Sequence, residues 1–256
     1  MLDHLVSLLL TIAAVYAALL ATYFFACLTI TKLSRRRAGR KIQARTETRA
    51  QINRDRLQSV VSLAGIATMF GLGHWSYQNL GYGTHVQEPG LLDMVGSFIL
   101  SLFLFDTWFY WMHRLIHTKL FYRKVHAWHH QTVSPEAWSN NSDLLIDNIF
   151  LQSYWLVAHF VIPIAPVVLF IHKLYDQISG VIGHSGHEVA GSVCWPPSPL
   201  ISVTHHDQHH RFVHCNYATH FTFWDRLMGT LHPMHDREAK RNLLRSGARR
   251  SSLHRS

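Results

Sequence analysis

The sequence has few cysteines for its length. Three occur among 256 residues, at Cys27, Cys194 and Cys215, and no two of them are close together. A disulfide framework needs an even set of spaced cysteines, and a cysteine-based zinc site needs close pairs. The pattern argues against both, and the cysteines are expected to be small buried apolar side chains.

Charged residues are also scarce, at 15% of the chain, and they are concentrated in two segments. Residues 32–56 contain ten Lys or Arg against two acidic residues, and residues 236–256 contain seven against two. Neither segment is joined to a recognisable nucleic-acid module, so we predict no nucleic-acid partner. Beside apolar runs, such segments are typical of cytoplasmic loops that obey the positive-inside rule.

Long apolar runs are what the sequence has in place of charge. Residues 5–30 contain no charged side chain, and residues 58–76 and 91–112 form two further runs. The first run lacks a preceding basic region and is too long for a cleaved signal peptide, so a retained membrane span is expected. All three runs are long enough to cross a bilayer.

A fourth apolar run, residues 144–183, is interrupted by Pro163 and Pro166. One continuous helix of this length would be about 60 Å long, twice the roughly 30 Å of bilayer hydrocarbon. We therefore predict a hairpin of two spans, 144–162 and 165–183, that turns at the prolines. With the basic loop cytoplasmic, the hairpin places every histidine-rich segment on the cytosolic side.

The predicted fold is an all-α integral membrane protein with four to five transmembrane helices and a cytosolic helical cap. Residues 1–57 are expected to form an N-terminal transmembrane helix and a basic cytosolic loop. Residues 58–235 are expected to form the membrane domain that carries the histidines. Residues 236–256 are expected to be a disordered basic tail.

Histidine is as abundant as cysteine is rare, with 21 residues. Four clusters of closely spaced histidines stand out: His113 and His117; His126, His129 and His130; His184 and His187; and His205, His206, His209 and His210. Residues three and four apart share a helix face, so the members of a cluster are expected to aim at one point. Eight to ten imidazoles exceed the needs of one zinc ion and predict two metal ions with four or five ligands each.

Some histidines are left without a predicted metal role. His205 is one residue off the face of its neighbours, and its role stays open. His159 and His172 are expected to be hydrogen-bonded core residues, and His214 and His220 are not expected to be ligands. Because ligating imidazoles usually donate their second N–H to a carboxylate, Asp106 is expected to lie behind one of them. A charge at that depth in a span is costly without such a purpose.

Imidazole suits zinc, copper, iron and nickel alike, so the ligand type does not select the metal. The setting favours iron, because a redox-active pair at the ends of membrane spans can oxidise lipid C–H bonds. A His-rich metal transporter is an alternative, but it would be expected to have ligands near the bilayer midplane. A zinc hydrolase is a second alternative, but the sequence has no His-Glu-x-x-His motif.

Four segments resemble the fatty acid hydroxylase/sterol desaturase superfamily of membrane non-haem di-iron enzymes. They are DTWFYWMHRLIH (106–117), VHAWHH (125–130), GHSGHE (183–188) and HHDQHHRFVHCNYATHFTFWDRLMGT (205–230). The resemblance implies O₂-dependent hydroxylation or desaturation of a lipid or sterol by two Fe ions, with Zn possible in the isolated protein. The implied ligands are His113, His117, His126, His129, His130, His184, His187, His206, His209 and His210. Ala218 replaces a frequent glycine, and residues 138–147 lack a frequent His-Pro, which leaves the substrate open.

The sequence shows no Rossmann-type glycine fingerprint and no fused haem module. Electrons are therefore expected from a separate carrier, of cytochrome b5, ferredoxin or flavoprotein reductase type, that docks on the cytosolic face. The location is expected to be the endoplasmic reticulum in a eukaryote or the inner membrane in a bacterium. The carbon that is oxidised, the choice between hydroxylase and desaturase, and the oligomeric state are left open.

Overall fold

The computed structural model describes residues 2–36, 41–81, 89–189 and 192–246. Ten α-helices lie in this part of the chain: α1 (Leu2–Arg35), α2 (Arg49–Asn79), α3 (Leu91–Ile116), α4 (Tyr122–Val125), α5 (Leu145–Leu151), α6 (Tyr154–Val161), α7 (Pro166–Gly183), α8 (Val203–Phe212), α9 (Phe223–Leu227) and α10 (His235–Ser246). Short 3-10 turns occupy His129–Gln131, Ala137–Ser139 and Ser192–Cys194. The all-α expectation is confirmed for the described residues.

Three helices are long and apolar enough to cross a membrane: Leu2–Ser34, Arg49–Asn79 and Leu91–Ile116. They contain the first three predicted spans. Large apolar side chains such as Leu9, Phe25 and Ile99 point outward from α1 and α3. An apolar surface of this kind is unfavourable in water and suits contact with lipid.

Helices α1 and α2 pack antiparallel along most of their length. His4 near the start of α1 contacts Trp75 near the end of α2. Farther along, the Tyr16 hydroxyl donates to the Val60 carbonyl at 3.0 Å. The N-terminus of α2 is capped by Thr48, whose hydroxyl accepts from the N–H of Gln51 at 3.1 Å. This cap supports a turn of α2 that lies beyond the predicted apolar span.

The run 144–183 forms a hairpin, but its first half is broken. Helices α5 and α6 are separate, and the Ser153 hydroxyl at the break donates to the Ile149 carbonyl at 2.6 Å. Such a bond competes with the helical ladder and bends the chain. The turn that follows contains Pro163, and Pro166 begins α7, where a missing N–H costs nothing. Because of this break, the fourth and fifth spans are not confirmed.

All the histidine-rich segments lie at one end of the helix bundle. This end holds the C-termini of α1, α3 and α7 and the N-terminus of α2. The Tyr23 hydroxyl of α1 donates to the Trp138 carbonyl at 2.7 Å. On α2, Asp55 accepts hydrogen bonds from Thr132 and Ser142 at 2.7 and 3.0 Å. The polar segment 113–143 is thereby fixed on the ends of the first two helices.

The basic tail differs from the expected disorder, because its first part forms α10. Ala239 and Leu243 are fully buried, and they lie four residues apart on one helix face. Asn242 on the same helix donates to Thr204 of α8 at 3.1 Å. This buried face holds the helix against α8. Residues 247–256 of the predicted tail lie outside the described residues.

Candidate metal centre

Nine histidines converge into two groups at this end of the bundle. The five-histidine group consists of His113, His117, His126, His130 and His209. The four-histidine group consists of His129, His184, His206 and His210. Within each group, one nitrogen per ring lies within 4.8 Å of all the others. Ligands about 2.1 Å from a shared ion lie about 3.0 to 4.2 Å apart, so each group has nearly the size that one ion requires.

The division between the groups cuts across the sequence clusters. His129 lies in the four-histidine group although His126 and His130 lie in the other, and His209 is likewise separated from His206 and His210. The expectation that each cluster aims at one point is therefore not met. After α4 ends at Val125, the backbone passes into a 3-10 turn at His129–Gln131, so helical spacing does not apply there. On α8, His206 and His210 are one turn apart, whereas His209 points to a different side.

Backbone carbonyls fix the ring orientation of several histidines in the five-histidine group. The Nδ1 of His113 lies 2.7 Å from the Tyr217 carbonyl, and the Nδ1 of His209 lies 2.7 Å from the Cys215 carbonyl. A carbonyl only accepts, so each Nδ1 carries the proton. His126 donates in the same way to the Asp147 carboxylate at 2.9 Å. In all three rings, Nε2 is left as a lone pair that points inward.

The four-histidine group is oriented by a different set of acceptors. His210 Nδ1 donates to the Thr132 carbonyl at 2.8 Å, and His129 Nδ1 lies 2.9 Å from the Asp143 carboxylate. His184 Nδ1 lies 2.9 Å from the Ser139 hydroxyl, which donates its own proton to the Glu136 carbonyl at 2.8 Å. The hydroxyl therefore accepts from His184. The rings of His184 and His210 therefore present Nε2 lone pairs to the centre of their group.

Imidazole nitrogens with lone pairs that face one another test whether the two groups fit a metal ion. His113 Nε2 and His126 Nε2 are 3.1 Å apart, and neither carries a proton when both Nδ1 atoms donate. His206 Nε2 lies 2.7 Å from His184 Nε2 and 3.0 Å from His210 Nε2. The contact between His113 and His126 is repulsive unless a cation lies between the two nitrogens, and His206 Nε2 can donate a proton to at most one of its two neighbours. The donor set of each group therefore fits a divalent metal ion.

Burial keeps the imidazoles neutral. It lowers the pKa of His117, His130 and His209, and neighbouring histidines lower these pKa values further. The pKa of His184, His206 and His210 is lowered for the same two reasons. Neutral imidazole is the form that binds metal, so the protein presents its ligands in the binding-competent state.

His187 and Asp106 do not occupy the places expected for them. His187 lies outside both groups, and its Nδ1 is 2.8 Å from the Ser185 carbonyl. Asp106 accepts the backbone N–H groups of Thr219, His220 and Phe221 at 3.0, 2.7 and 3.3 Å. It thus holds the 219–221 loop rather than contacting a ligand histidine.

Two carboxylates that contact histidines of these groups were not expected from the sequence. Asp143 contacts His129 and Asp147 contacts His126. Each pair is separated by 14 or more residues of non-repeating chain, so no local spacing marks it. The one feature of the sequence that could have indicated these two carboxylates is their position in the polar stretch WSNNSDLLID (138–147).

His205 has a structural role in the loop that carries two of the acceptor carbonyls. Its Nε2 lies 3.0 Å from the Asp225 carboxylate. Asp225 also accepts the N–H groups of Tyr217 and Ala218, both at 2.9 Å. The hydrogen bond from His205 and these backbone bonds hold the pKa of Asp225 below its usual range against the effect of burial. His205 and Asp225 thereby fix the loop whose Tyr217 carbonyl orients His113.

A cavity of about 330 Å³ opens beside the metal centre. Five of the nine histidines line it: His113, His126, His129, His184 and His206. The apolar side chains of Phe109, Leu151, Ile178 and Val203 form much of the remaining wall. Its volume falls within the usual range of small-molecule sites.

The fold and the site together define a helical protein with apolar, membrane-length helices and a polyhistidine centre suited to metal. Comparison with known proteins assigns the chain to a family. The model of the fatty acid hydroxylase family matches residues 98–230, which is over half of the chain, and the chain belongs to this family. No solved structure matches the chain.

The similar curated proteins act on sterols by name. The chain is 27% identical over 168 residues to a C-4 methylsterol oxidase of Schizosaccharomyces pombe, which covers 63% of this chain and 55% of that protein. It is 32% identical over 142 residues to human lathosterol oxidase, covering 55% and 46%. It is 29% identical over 153 residues to mouse cholesterol 25-hydroxylase, covering 57% and 50%. The chain thus spans about half the length of the curated relatives it matches.

Proposed function

We propose that this protein is a membrane oxygenase that hydroxylates or desaturates a lipid or sterol C–H bond at a histidine-ligated di-iron centre. The observation that carries the proposal is the pair of neutral polyhistidine groups beside a largely apolar cavity. Two iron ions bound there would supply the reductive activation of O₂ that C–H oxidation requires. Names of the relatives as sterol oxidase and hydroxylase support the same class of reaction.

The protein's own residues hold and orient the reacting partners. Nine histidines are the proposed ligands, and the carbonyls of Tyr217, Cys215 and Thr132 fix three of their rings. The apolar part of the cavity wall would hold an apolar chain against the ligands. His187, which the sequence resemblance includes as a tenth ligand, is left out of the proposed set because it lies outside both groups.

The overall reaction needs an external reductant. Hydroxylation converts R–H, O₂, two electrons and two protons into R–OH and water. Desaturation uses the same O₂, electrons and protons to remove two hydrogens from the lipid and yields two waters. We propose that a separate one-electron carrier of the cytochrome b5, ferredoxin or flavoprotein type docks at the histidine-bearing end, which we place in the cytosol.

The test is oxidation of lipid by membranes that contain the protein. Membranes are supplied with Fe(II), O₂ and a reductase system, and lipid products are measured by mass spectrometry. Wild type is expected to yield alcohol or alkene products, and His129→Ala is expected to yield none. The matched control is His214→Ala, because His214 is exposed and outside both groups. Equal products from His129→Ala and wild type would contradict the proposal.

A further inference from the structure

The cavity has a second polar region away from the metal ligands. Asp176 and His220 both line it. Asp176 lies on α7, eight residues before His184, which corresponds to about 12 Å along a helix axis. A ligand that touches both Asp176 and His184 must therefore span roughly this length.

His220 is a buried side chain without a hydrogen-bond partner. It is 6% exposed, and neither ring nitrogen makes a hydrogen bond to any described residue. Its ring packs against Phe105 and Tyr175, with centroids 5.8 and 5.5 Å apart. A buried imidazole with both nitrogens unpaired is costly, so it is expected where a ligand completes its hydrogen bonds.

The backbone holds His220 firmly in this position. The Asp106 carboxylate accepts the N–H of His220 at 2.7 Å and those of the next and preceding residues. The unpaired nitrogens are therefore not a consequence of a loose loop. Burial lowers the pKa of His220 to about 4, so the ring is neutral and offers one donor and one acceptor.

Asp176 supplies the complementary acceptor. Its Oδ2 is bound by the Lys173 ammonium at 2.7 Å, and Lys173 also donates to Gln152 at 3.1 Å. Its Oδ1 lies 3.7 Å from His220 Nε2, too far for a direct hydrogen bond. An oxygen atom placed about 2.7 to 2.9 Å from each would bridge this gap.

We propose that Asp176 and His220 bind the hydroxyl group of the lipid substrate, which is therefore a neutral lipid alcohol. The hydroxyl donates to Asp176 Oδ1 and accepts from the N–H of His220. A ketone or an ether has no proton to donate to Asp176. A carboxylate or phosphate places a second negative charge against Asp176, and an amine places a second positive charge beside Lys173.

This inference rests on the proposed function, but binding tests it without turnover. The full-length, metal-loaded protein is held in detergent without reductant. Affinities are measured for 1-hexadecanol, 1-methoxyhexadecane and palmitate, and for cholesterol and its 3-methyl ether. At least one alcohol is expected to bind roughly tenfold or more tightly than its own ether, as the loss of one hydrogen bond to a charged group predicts. An ether or palmitate that binds as tightly as both alcohols would overturn the proposal.

His220→Phe is the decisive variant, because phenylalanine keeps the ring contacts and removes the unpaired nitrogens. The melting temperature is expected to be unchanged or higher, while alcohol affinity falls to that of the ether. Asp176→Asn is expected to lower alcohol affinity in the same direction. The control is His214→Phe, the same substitution at an exposed position. An alcohol preference that survives in both His220→Phe and Asp176→Asn would show that these residues do not bind the hydroxyl.

The two proposals fail in different ways. Alcohol preference in the binding assay without lipid oxidation in membranes would leave the hydroxyl site in place and remove the oxygenase function. Lipid oxidation without alcohol preference would do the reverse.

Discussion

The two histidine groups differ in how completely they surround an ion. The five-histidine group takes its side chains from the end of α3, from the 126–130 segment and from α8, and two of its five histidines line the cavity. The four-histidine group has three of its four histidines on the cavity wall: His129, His184 and His206. An ion with four protein ligands keeps more open positions than one with five.

This difference suggests a division of labour within the centre. The more enclosed group is oriented by backbone carbonyls at Tyr217 and Cys215, which belong to the loop held by Asp225. The more open group adjoins the cavity and leaves room for exogenous ligands. The four-histidine group is therefore the more accessible of the two from the cavity.

The largest expected effect comes from removing one ligand of each group. His129 and His130 are adjacent in sequence but belong to different groups. We expect His129→Ala and His130→Ala each to lower product formation by at least about 100-fold, since loss of outer partners alone costs 10- to 100-fold. We expect His130→Ala to keep more metal, because its group retains four imidazoles whereas the other retains three. Metal content after dialysis against a weak chelator measures the difference.

His214→Ala is the control for this pair and is expected to match wild type in both metal and product. If the two alanine variants lost the same amount of metal, the fifth histidine would not make its group the stronger metal site.

A smaller effect is expected from the carboxylates behind the two groups. Asp143 contacts His129, and Asp147 contacts His126, both at 2.9 Å. Replacing either by Asn keeps its shape; Asp143→Asn also removes a negative charge behind its imidazole, whereas burial and the neighbouring Asp143 raise the pKa of Asp147 to about 9. We expect metal affinity to fall by roughly 10- to 100-fold, with the larger fall for Asp143→Asn. Competition with a chromogenic chelator measures the affinities.

Asp236→Asn provides the matched control, since Asp236 is an exposed carboxylate that pairs with Arg226. Wild-type affinity in Asp143→Asn would show that the more open group does not depend on charge behind its ligands.

The sequence was sufficient for the long helices and for the nine converging histidines. Helix α1 extends only a few residues beyond the predicted span 5–30, because apolar length alone defines it. The sequence did not predict how the histidines divide. His129 and His130 point to different groups because the backbone there is a 3-10 turn, whose direction depends on packing against α2. The two carboxylates at Asp143 and Asp147 were missed for a related reason, since they meet their histidines through the fold and not through spacing.

The long-range polar contacts also explain where the helix boundaries differ. Helix α2 begins at Arg49, well before the apolar run at 58–76, because Gln51 and Asp55 bind Thr132. Helix α10 follows from the burial of Ala239 and Leu243 against a neighbour that the charged tail does not reveal. In both places, a tertiary partner distant in sequence decides the structure.

The smallest effect is expected at His187, where sequence and structure differ most on the metal centre. His187 is buried, but it belongs to a turn in which Ile42 donates to the Gly186 carbonyl at 2.9 Å, and it lies outside both groups. We expect His187→Gln to retain metal content within about twofold of wild type, because no group loses a ligand. His184→Gln, three residues earlier, is the matched substitution of a grouped histidine and is expected to lose metal from the four-histidine group. Metal analysis of the two glutamine variants side by side measures the difference. An equal loss of metal in both would make His187 a tenth ligand, as the sequence resemblance implies. The four-histidine group would then have five ligands and be as enclosed as the five-histidine group.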